Sequence, residues 1–276
     1  MSENSHSVVL EKKNENFWEE PCGTCSLKKR KFKNLTEFDQ WYLNFYPYLL
    51  KYLPIQSLKG KKVLEVGLGM GTVSEKLAEN SMEYFGMDLA SSAVDLVEKR
   101  ISQKKLNGQV VKGNVLTYPL PKNFYDYVFS IGCLHHTGDL ALSIKQLIDA
   151  LKPGGKGTIM IYNAFSYRHW LSAPFATLKR LCFAKPVYQS QNAPRKQRLL
   201  YDPNSNNESA PFTEFLTRQQ TETLFQKFDI KPVINLENIG SFFMFPIPRK
   251  IKLKLFGPWL GLDLYVQFQK PITSES

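Results

Sequence analysis

A short apolar run ends in three closely spaced glycines, in the segment Glu65-Val66-Gly67-Leu68-Gly69-Met70-Gly71-Thr72. Glycine tolerates positive φ angles and lets a ligand approach the backbone closely. Between a parallel strand and a helix, such a turn forms a ligand site at the carboxyl edge of the sheet. A tight turn that binds no ligand is the alternative interpretation.

The spacing of these glycines bears on the ligand. A dinucleotide-binding turn reads G-x-G-x-x-G, and its third glycine would fall at position 72, which is Thr72. The observed G-x-G-x-G favours S-adenosylmethionine (SAM) over NAD, because the methionine end of SAM is a zwitterion without phosphate. Asp88 follows 21 residues after Gly67, and its carboxylate can accept hydrogen bonds from both ribose hydroxyls. A helix-capping role is the alternative for Asp88.

Two adjacent histidines, His135 and His136, follow a later apolar run. Adjacent side chains diverge, so one of them can face a site while the other packs. A neutral imidazole can accept a proton near neutral pH, which makes either residue a candidate base. The alternative is a packing or capping role in the loop.

These residues need a framework of strands and helices to hold them. Short apolar runs alternate with amphipathic segments from Lys62 to Asn163, which predicts βαβ units around a parallel sheet. The fold class is therefore α/β, with a Rossmann-like, mostly parallel seven-stranded sheet and helices on both faces. Strands are predicted at Lys62–Val66, Tyr84–Met87, Gln109–Lys112, Tyr125–Ile131, Thr158–Tyr162, Ile230–Leu236 and Leu262–Gln269, the last two paired antiparallel.

The helices carry clear local signals. The strongest apolar face at helical spacing is formed by Leu140, Ile144, Leu147, Ile148 and Leu151. A helix is predicted to begin at Thr72, Ser92 with Asp95 is predicted to form a capping box, and Thr217 with Gln220 predicts the start of another helix.

Two regions lie outside the alternating pattern. Residues 1–59 are predicted to form an N-terminal helical cap, and residues 60–276 a single domain with an insertion at 164–212. The cap is rich in aromatic residues, with a helix predicted from Leu35 to Leu53. Its aromatic residues either pack the core or form a lid that excludes water from the site.

Composition restricts the class of protein only loosely. The 276 residues carry a formal net charge of +11, which is compatible with nucleic acid, an acidic substrate or an anionic membrane as partner. The polar N-terminus does not resemble a signal peptide, so we expect a cytoplasmic protein. Cys22 and Cys25 form one C-x-x-C, but four ligands at suitable spacing are missing, so no metal is expected.

The chain resembles the class I SAM-dependent methyltransferases over about residues 60–163. The resemblance rests on the ordered segments VLEVGLGMGTVSEKLAE, YFGMDLASSAV, KGNVLTYPLP, YDYVFSIGCLHHTGD and LKPGGKGTIMIYN. It is strongest toward the small-molecule branch that includes ubiquinone-type, menaquinone-type and natural-product enzymes. It implies SAM as cofactor, with S-adenosylhomocysteine as product, and leaves the acceptor open.

The resemblance implies roles for residues around the glycine turn. Glu65 would orient the amino group of SAM, often through water. The backbone from Gly67 through Leu68 and Gly69 to Gly71 would line the methionine moiety.

Further roles are implied for residues after the second, third and fourth strands. Leu89 would lie against the adenine. Asn114, followed by Val115, stands where the family usually has an aspartate that accepts from the adenine amino group, and an amide oxygen can still accept that bond. Ser130 and Ile131 would face the sulfonium.

For catalysis, the resemblance favours His136 over His135 as the histidine that faces the methyl group. Asn163 stands where some relatives carry an acidic partner, which puts a two-residue acid–base scheme in doubt. Tyr162 would lie nearby, at the end of the fifth strand.

The acceptor is expected to be a small organic molecule bound beneath the cap and the insertion. Phe17, Trp18 and Tyr46 are predicted to lie nearest to it, and Arg168 can pair with a carboxylate or phosphate. One alternative is that the insertion's aromatic residues only pack on the core. Another is that this basic, aromatic helix and Pro248–Trp259 rest on a membrane that holds a lipid-like acceptor.

Three other functions remain open. A nucleic-acid methyltransferase is disfavoured, because Ser130-Ile131-Gly132-Cys133 stands where such enzymes carry Asn/Asp-Pro-Pro-Tyr. An NAD-type oxidoreductase is disfavoured by Thr72. A non-catalytic SAM-binding protein is the third alternative.

Overall fold

The computed structural model describes residues 2–20, 32–183, 185–240, 243–244 and 246–272, with side chains from Ser7 onward. Cys22 and Cys25 lie outside the described residues. Within the described part of the chain, no helix is long and apolar enough to cross a membrane.

The N-terminal two-thirds of the chain alternates strands and helices. Its elements are α1 (Ser2–Trp18), α2 (Leu35–Phe45), 3-10 turns at Leu49–Tyr52 and Ile55–Ser57, β1 (Lys62–Val66), α3 (Thr72–Asn80), β2 (Glu83–Asp88), α4 (Ser91–Gln103), β3 (Gly108–Lys112), β4 (Tyr125–Ile131), a 3-10 turn at Leu134–His136, α5 (Leu140–Ala150) and β5 (Leu151–Asn163).

The remaining third contains the insertion and the last strands. Its elements are α6 (Tyr167–Ser172), α7 (Pro174–Phe183), α8 (Arg195–Leu199), β6 (Phe215–Leu216), α9 (Arg218–Gln226), β7 (Val233–Glu237), α10 (Arg249–Leu260) and β8 (Asp263–Gln269).

The strands form one sheet in the order β3-β2-β1-β4-β5-β8-β7, and β6 pairs with the end of β5. Strands β1 to β5 are parallel, while β8 runs antiparallel to both β5 and β7. The predicted α/β fold with a mostly parallel, Rossmann-like sheet is confirmed, with the two-residue β6 as an eighth strand. Parallel order brings the carboxyl ends of β1, β2, β4 and β5 to one edge, which we call the carboxyl edge.

Helices cover both faces of the sheet. One buried cluster contains the apolar faces of α5 and α9, including Leu147 and Phe225. The other contains those of α3 and α4, including Leu77 and Val97. Adjacent residues of β1 divide between the clusters, since Val63 belongs to the second and Leu64 to the first. This alternation is what a strand buried on both sides requires.

Several predicted boundaries differ from the structure, among them that of the strand predicted from Ile230 to Leu236, which is β7 at Val233–Glu237. The helix predicted from Leu35 to Leu53 ends at Phe45, because Pro47 disfavours helical φ and ψ at the residue before it. The predicted fifth strand is longer than expected: β5 begins at Leu151, and its pairing with β4 shifts register between Tyr125 and Tyr127.

Helix α2 is fixed to the domain by a buried ion pair. Arg100 of α4 is 3% exposed and donates two hydrogen bonds to Asp39, at 2.8 and 3.0 Å. Thr72 also donates to Asp39 at 2.5 Å. Thr72, which excluded a dinucleotide pattern, therefore holds the cap in place.

One sheet position leaves no room for a Cβ atom unless its neighbour moves. A Cβ atom on Gly157 would lie 2.2 Å from the ring of Phe268 on the neighbouring strand β8. We expect Gly157→Ala to lower the free energy of unfolding by about 1–3 kcal/mol, because the ring must leave its packed position. Chemical denaturation measures this loss.

The control is a double-mutant cycle with Phe268→Leu. If the clash causes the loss, the double variant is less destabilised than the sum of the single variants. Additive losses would contradict this explanation.

Candidate cofactor and active site

The glycine turn after β1 opens at the carboxyl edge. Gly67, Gly69 and Gly71 have φ angles of 87°, 52° and 77°, in the left-handed region that favours glycine. A Cβ on Gly67 would lie 2.3 Å from the Cβ of Cys133, whereas one on Gly69 would meet nothing within 4 Å. Gly67 thus permits close contact with the turn after β4, and Gly69 leaves open space.

Asp88 links this turn to the next one. Its carboxylate accepts from the backbone N–H of Leu68 at 2.7 Å and of Ala90 at 2.9 Å. Burial raises the pKa of Asp88, and these N–H groups oppose the rise. A carboxylate oxygen can accept more than one hydrogen bond, so Asp88 keeps acceptor capacity for ribose hydroxyls.

A cavity lies between the turns that follow β1, β2, β3 and β4. Among the predicted cofactor residues, seven line it: Gly67, Gly69, Asp88, Leu89, Asn114, Val115 and Ile131. Ile131 and His136 line the end that adjoins β4. The two acidic side chains in the lining, Asp88 and Glu11, favour a cationic ligand, and SAM carries a sulfonium and an ammonium group. The charge of the lining therefore suits SAM.

Helix α1 lies directly over this cavity. Glu11, Asn14 and Trp18 belong to its lining. Asn14 donates to the carbonyl oxygen of His136 at 2.8 Å, and Trp18 contacts the ring of His136, with centroids 4.7 Å apart. The predicted N-terminal lid thus corresponds to a single helix in contact with both the cofactor cavity and the candidate base.

Glu19 attaches the end of α1 to the start of α4. Its carboxylate accepts from the backbone N–H groups of Ser91 and Ser92, at 2.8 and 2.9 Å. These bonds lower the pKa of Glu19. The capping box predicted from Ser92 and Asp95 is wrong, because the helix begins at Ser91 and receives its cap from another helix.

Asn114 uses both ends of its amide. Its oxygen accepts from the Leu116 N–H at 3.0 Å, and its nitrogen donates to Glu11 at 2.9 Å. The predicted bond from the adenine amino group would be a second bond to that oxygen. Glu11 accepts the bond from the amide nitrogen and so orients the amide. No local sequence pattern predicts the contact.

Four predicted cofactor residues lie outside the lining. Glu65 is buried and accepts from the Tyr84 hydroxyl at 2.5 Å, and burial raises its pKa to about 7. Leu68 contributes its N–H to Asp88, and Ser130 is buried beneath the turn. Gly71 faces α4, where a Cβ would lie 2.8 Å from Val97. These residues support the lining and do not form it.

Of the two histidines only one lines the cavity, although their rings contact each other with centroids 4.1 Å apart. His136 is 4% exposed and lines the cavity, whereas His135 is fully buried and contacts the ring of Tyr162, with centroids 4.1 Å apart. Burial lowers the pKa of His136 and lowers that of His135 further, so both are neutral near pH 7. His136 is the histidine that adjoins the cofactor cavity.

Asp202 of the insertion approaches His136. One carboxylate oxygen lies 3.6 Å from Nε2 of His136, and the other accepts from the Tyr162 hydroxyl at 2.9 Å. Burial raises the pKa of Asp202, which the nearby His136 opposes. Sequence reasoning missed Asp202 because it stands in a polar, turn-rich segment without periodicity.

Two further predicted site residues, Asn163 and Arg168, form hydrogen bonds with the backbone of neighbouring segments. Asn163 is buried, donates to the carbonyl of Gly261 and accepts from the N–H of Phe165, so both ends of its amide serve the backbone. Arg168 donates to the carbonyl of Leu200 and stacks over Tyr201. Both residues lie outside the cavity lining, and Asn163 has a structural role here.

Of the three aromatic residues predicted to lie nearest the acceptor, two do not line the cavity. Phe17 packs edge-on against Trp18, with centroids 4.9 Å apart. Tyr46 packs among Tyr42, Phe45 and Tyr48 and does not line the cavity. Only Trp18 of the three residues placed nearest the acceptor reaches the cavity.

No group of three or more His, Cys, Asp or Glu side chains suited to a metal ion occurs in the described ranges. The lining also includes Ser92, Ala93 and Leu96 of α4, which were not predicted to contact the cofactor.

Comparison with known proteins agrees with this geometry. Residues 63–155 match a protein family described as a methyltransferase domain. The chain is 34% identical over 103 residues to the uncharacterized methyltransferase YdaC of Bacillus subtilis, covering 37% of this chain and 56% of that protein. It is 33% identical over 111 residues to a ubiquinone biosynthesis O-methyltransferase of Coxiella burnetii, covering 40% of this chain and 47% of that protein. The matched segment thus spans about half of each relative.

The fold agrees with solved structures as well. An S-adenosylmethionine-dependent methyltransferase from Mesorhizobium loti superposes with a TM-score of 0.56 at 15% identity, covering 82% of this chain and 97% of that one. The resemblance seen in the sequence is confirmed to this extent: residues 63–155 match a methyltransferase domain, and the fold is shared with this SAM-dependent methyltransferase.

Asp88→Ala tests the ribose contact. We expect SAM affinity to fall by about 1.5–3 kcal/mol, because charge-assisted hydrogen bonds disappear. Asp126→Ala is the matched control, since Asp126 accepts from the Lys62 N–H at 2.8 Å at the opposite edge of the sheet. Calorimetry of SAM binding to both variants would reject the ribose assignment if Asp88→Ala bound SAM as tightly as Asp126→Ala.

Trp18→Ala tests the lid. Removing this ring opens the cavity beside His136, so we expect SAM to dissociate at least about fivefold faster. Stopped-flow displacement measures this rate, with Trp259→Ala as control because Trp259 is 77% exposed. Equal rates in the two variants would leave α1 a packing role only.

Proposed function

We propose that the protein transfers a methyl group from SAM to an oxygen, nitrogen, carbon or sulfur nucleophile of a small organic molecule. The observation that carries the proposal is the position of His136, which joins the cavity lining on one side and Asp202 on the other. SAM, when bound, supplies a methyl group already activated as a sulfonium. The chain then has to align the acceptor and, where the acceptor requires it, remove a proton.

The hydrogen bonds of His136 suit it to remove that proton. Nδ1 lies 2.8 Å from the carbonyl oxygen of Phe212, which can only accept, so the tautomer assigned from this contact carries its proton on Nδ1. Nε2 therefore keeps a lone pair that can take the acceptor's proton. Asp202 lies on the Nε2 side and would stabilise the imidazolium that forms.

The relatives' names support a small-molecule acceptor without identifying it. One relative is a ubiquinone biosynthesis O-methyltransferase, and another, from Geobacillus, is a demethylmenaquinone methyltransferase. The first name refers to the biosynthesis of a quinone and the second to a quinone itself, and quinones contain a flat ring. Trp18 and Tyr162, on either side of His136, would suit a flat ring.

Incubation with SAM that carries a ¹³C-labelled methyl group tests the proposal. Mixtures of phenols, quinols, amines, thiols and carboxylic acids are screened by mass spectrometry, and we expect label in at least one acceptor with one S-adenosylhomocysteine per methyl. Label found only in added RNA would favour a nucleic-acid methyltransferase. Tight binding of NADH but not SAM, or SAM binding without transfer to any acceptor, would also contradict the proposal.

His136→Gln and His135→Gln form a matched pair for the base. We expect His136→Gln to lower kcat at least about 100-fold with SAM affinity unchanged, and His135→Gln to retain activity. A fall of similar size in both variants would reject His136 as the base.

Asp202→Asn supplies a second readout through pH. Asp202 raises the pKa of His136, so its loss lowers that pKa, and His136 then stays neutral to lower pH. The acid limb of the kcat profile should therefore move to lower pH in Asp202→Asn. A merely structural role for Asp202 would lower kcat without moving this limb.

A further inference from the structure

The net positive charge of the chain is equalled by the charge of two segments. Residues 164–201 contain seven Lys and Arg and no Asp or Glu, and residues 238–262 contain four and none. Together these are as many cations as the formal net charge of +11, so the rest of the chain is electrically balanced. Six of these eleven side chains are exposed, whereas Lys252 is buried, and exposed cations without neighbouring carboxylates in sequence favour an anionic partner.

Both segments lie at the carboxyl edge of the sheet. Residues 164–201 follow the end of β5, and residues 238–262 connect the end of β7 to the start of β8, where Asp263 pairs with Tyr162. Tyr167 of α6 and Phe256 of α10 contact the same ring, that of Phe243, with centroids 4.5 and 5.8 Å apart. Helices α6 and α10 are therefore neighbours.

Helix α7 exposes almost its whole surface. Eight of its ten residues are exposed, and only Thr177 is buried. The exposed side chains include Phe175 at 87% and Phe183 at 79%, next to Leu171 of α6 at 70%. A helix with this much apolar surface normally lies in a protein core or against another apolar phase.

Helix α10 repeats this combination. Trp259 is 77% exposed, Leu255 55% and Ile251 48%, and the cationic Lys250 and Lys254 are exposed between them. In α7 the corresponding cation is the exposed Lys179. Large apolar tips interspersed with cations are the composition of a surface that inserts shallowly among anionic lipid headgroups.

We propose that α6, α7 and α10 form a docking surface for an anionic lipid bilayer. Nucleic acid would use the cations but not the aliphatic tips, whereas a bilayer uses both, through headgroups and acyl chains. The surface lies on the edge of the sheet where the cavity opens, so docking would bring the candidate site close to the headgroup layer. The proposal does not depend on methyl transfer, and its test uses no acceptor.

Cys182 of α7 is exposed and provides a probe in the middle of this surface. In a Cys22→Ser/Cys25→Ser chain, an environment-sensitive fluorophore is attached to Cys182. Cys133 reacts poorly, because burial raises its pKa to about 12. We expect a blue shift with vesicles of phosphatidylglycerol and phosphatidylcholine, none with phosphatidylcholine alone, and a weaker response as salt rises.

Co-flotation of the unlabelled protein tests the residues. We expect Phe175→Ser/Trp259→Ser to lower the partition coefficient at least about tenfold, because two exposed rings no longer insert. Met82→Ser/Ile272→Ser is the matched control, since these side chains are 49% and 76% exposed and stand outside the three helices. Lys179→Glu/Lys254→Glu should also reduce binding, whereas Lys122→Glu, which lies before β4, should not.

Several results would overturn the proposal. These are absence of flotation with anionic vesicles, equal loss in the control variants, or binding of a short RNA that is stronger than vesicle binding at the same salt. A dimer in solution that Phe175→Ser/Trp259→Ser converts to monomer would assign the face to a second copy of the chain instead.

Discussion

The cofactor cavity depends on one buried carboxylate. Asp88 ends β2, and it accepts from the N–H of Leu68 in the turn after β1 and from that of Ala90 before α4. A buried charge is tolerated only when it is hydrogen-bonded, and losing these bonds would leave both turns without their common partner. Because Gly67 also presses against Cys133 of the turn after β4, three turns are held in register. The contacts among these three turns therefore position the walls of the cavity.

Helix α1 closes this cavity through polar contacts. Its carboxylates at Glu11 and Glu19 meet Asn114 and the start of α4, and Lys112 pairs with Glu15 at 2.6 Å. Hydrogen bonds and exposed ion pairs of this kind contribute little net stability each, because water replaces them readily. Separation of α1 from the domain would break these polar contacts and expose the Trp18 ring that packs on His136. Contacts of this kind suit a lid that must admit SAM and release S-adenosylhomocysteine.

The sequence predicted what local patterns encode. Strands β1 and β4 were located to the residue, and the cavity lining contains most of the predicted cofactor residues, because apolar runs and glycine turns are local signals. The capping of α4 by Glu19 could not be predicted, because Glu19 and its partner Ser91 are 72 residues apart in the sequence. The same holds for Asp202 beside His136. Such pairings follow from how the added segments fold back on the sheet, which leaves no periodic signature.

The relatives can reveal more about the sheet and its flanking helices than about the two added segments, residues 1–59 and 164–212. The match to the methyltransferase family covers residues 63–155 and ends before the insertion begins, so it concerns the part of the protein that contains the candidate cofactor cavity. Asp202, which approaches Nε2 of His136, comes from the insertion, and so do two of the three helices of the proposed docking surface. The proposed partner of the base and most of the proposed docking surface therefore lie outside the segment that matches the family. Relatives that share the matched segment can act on different acceptors without any change in the turns after β1 and β2.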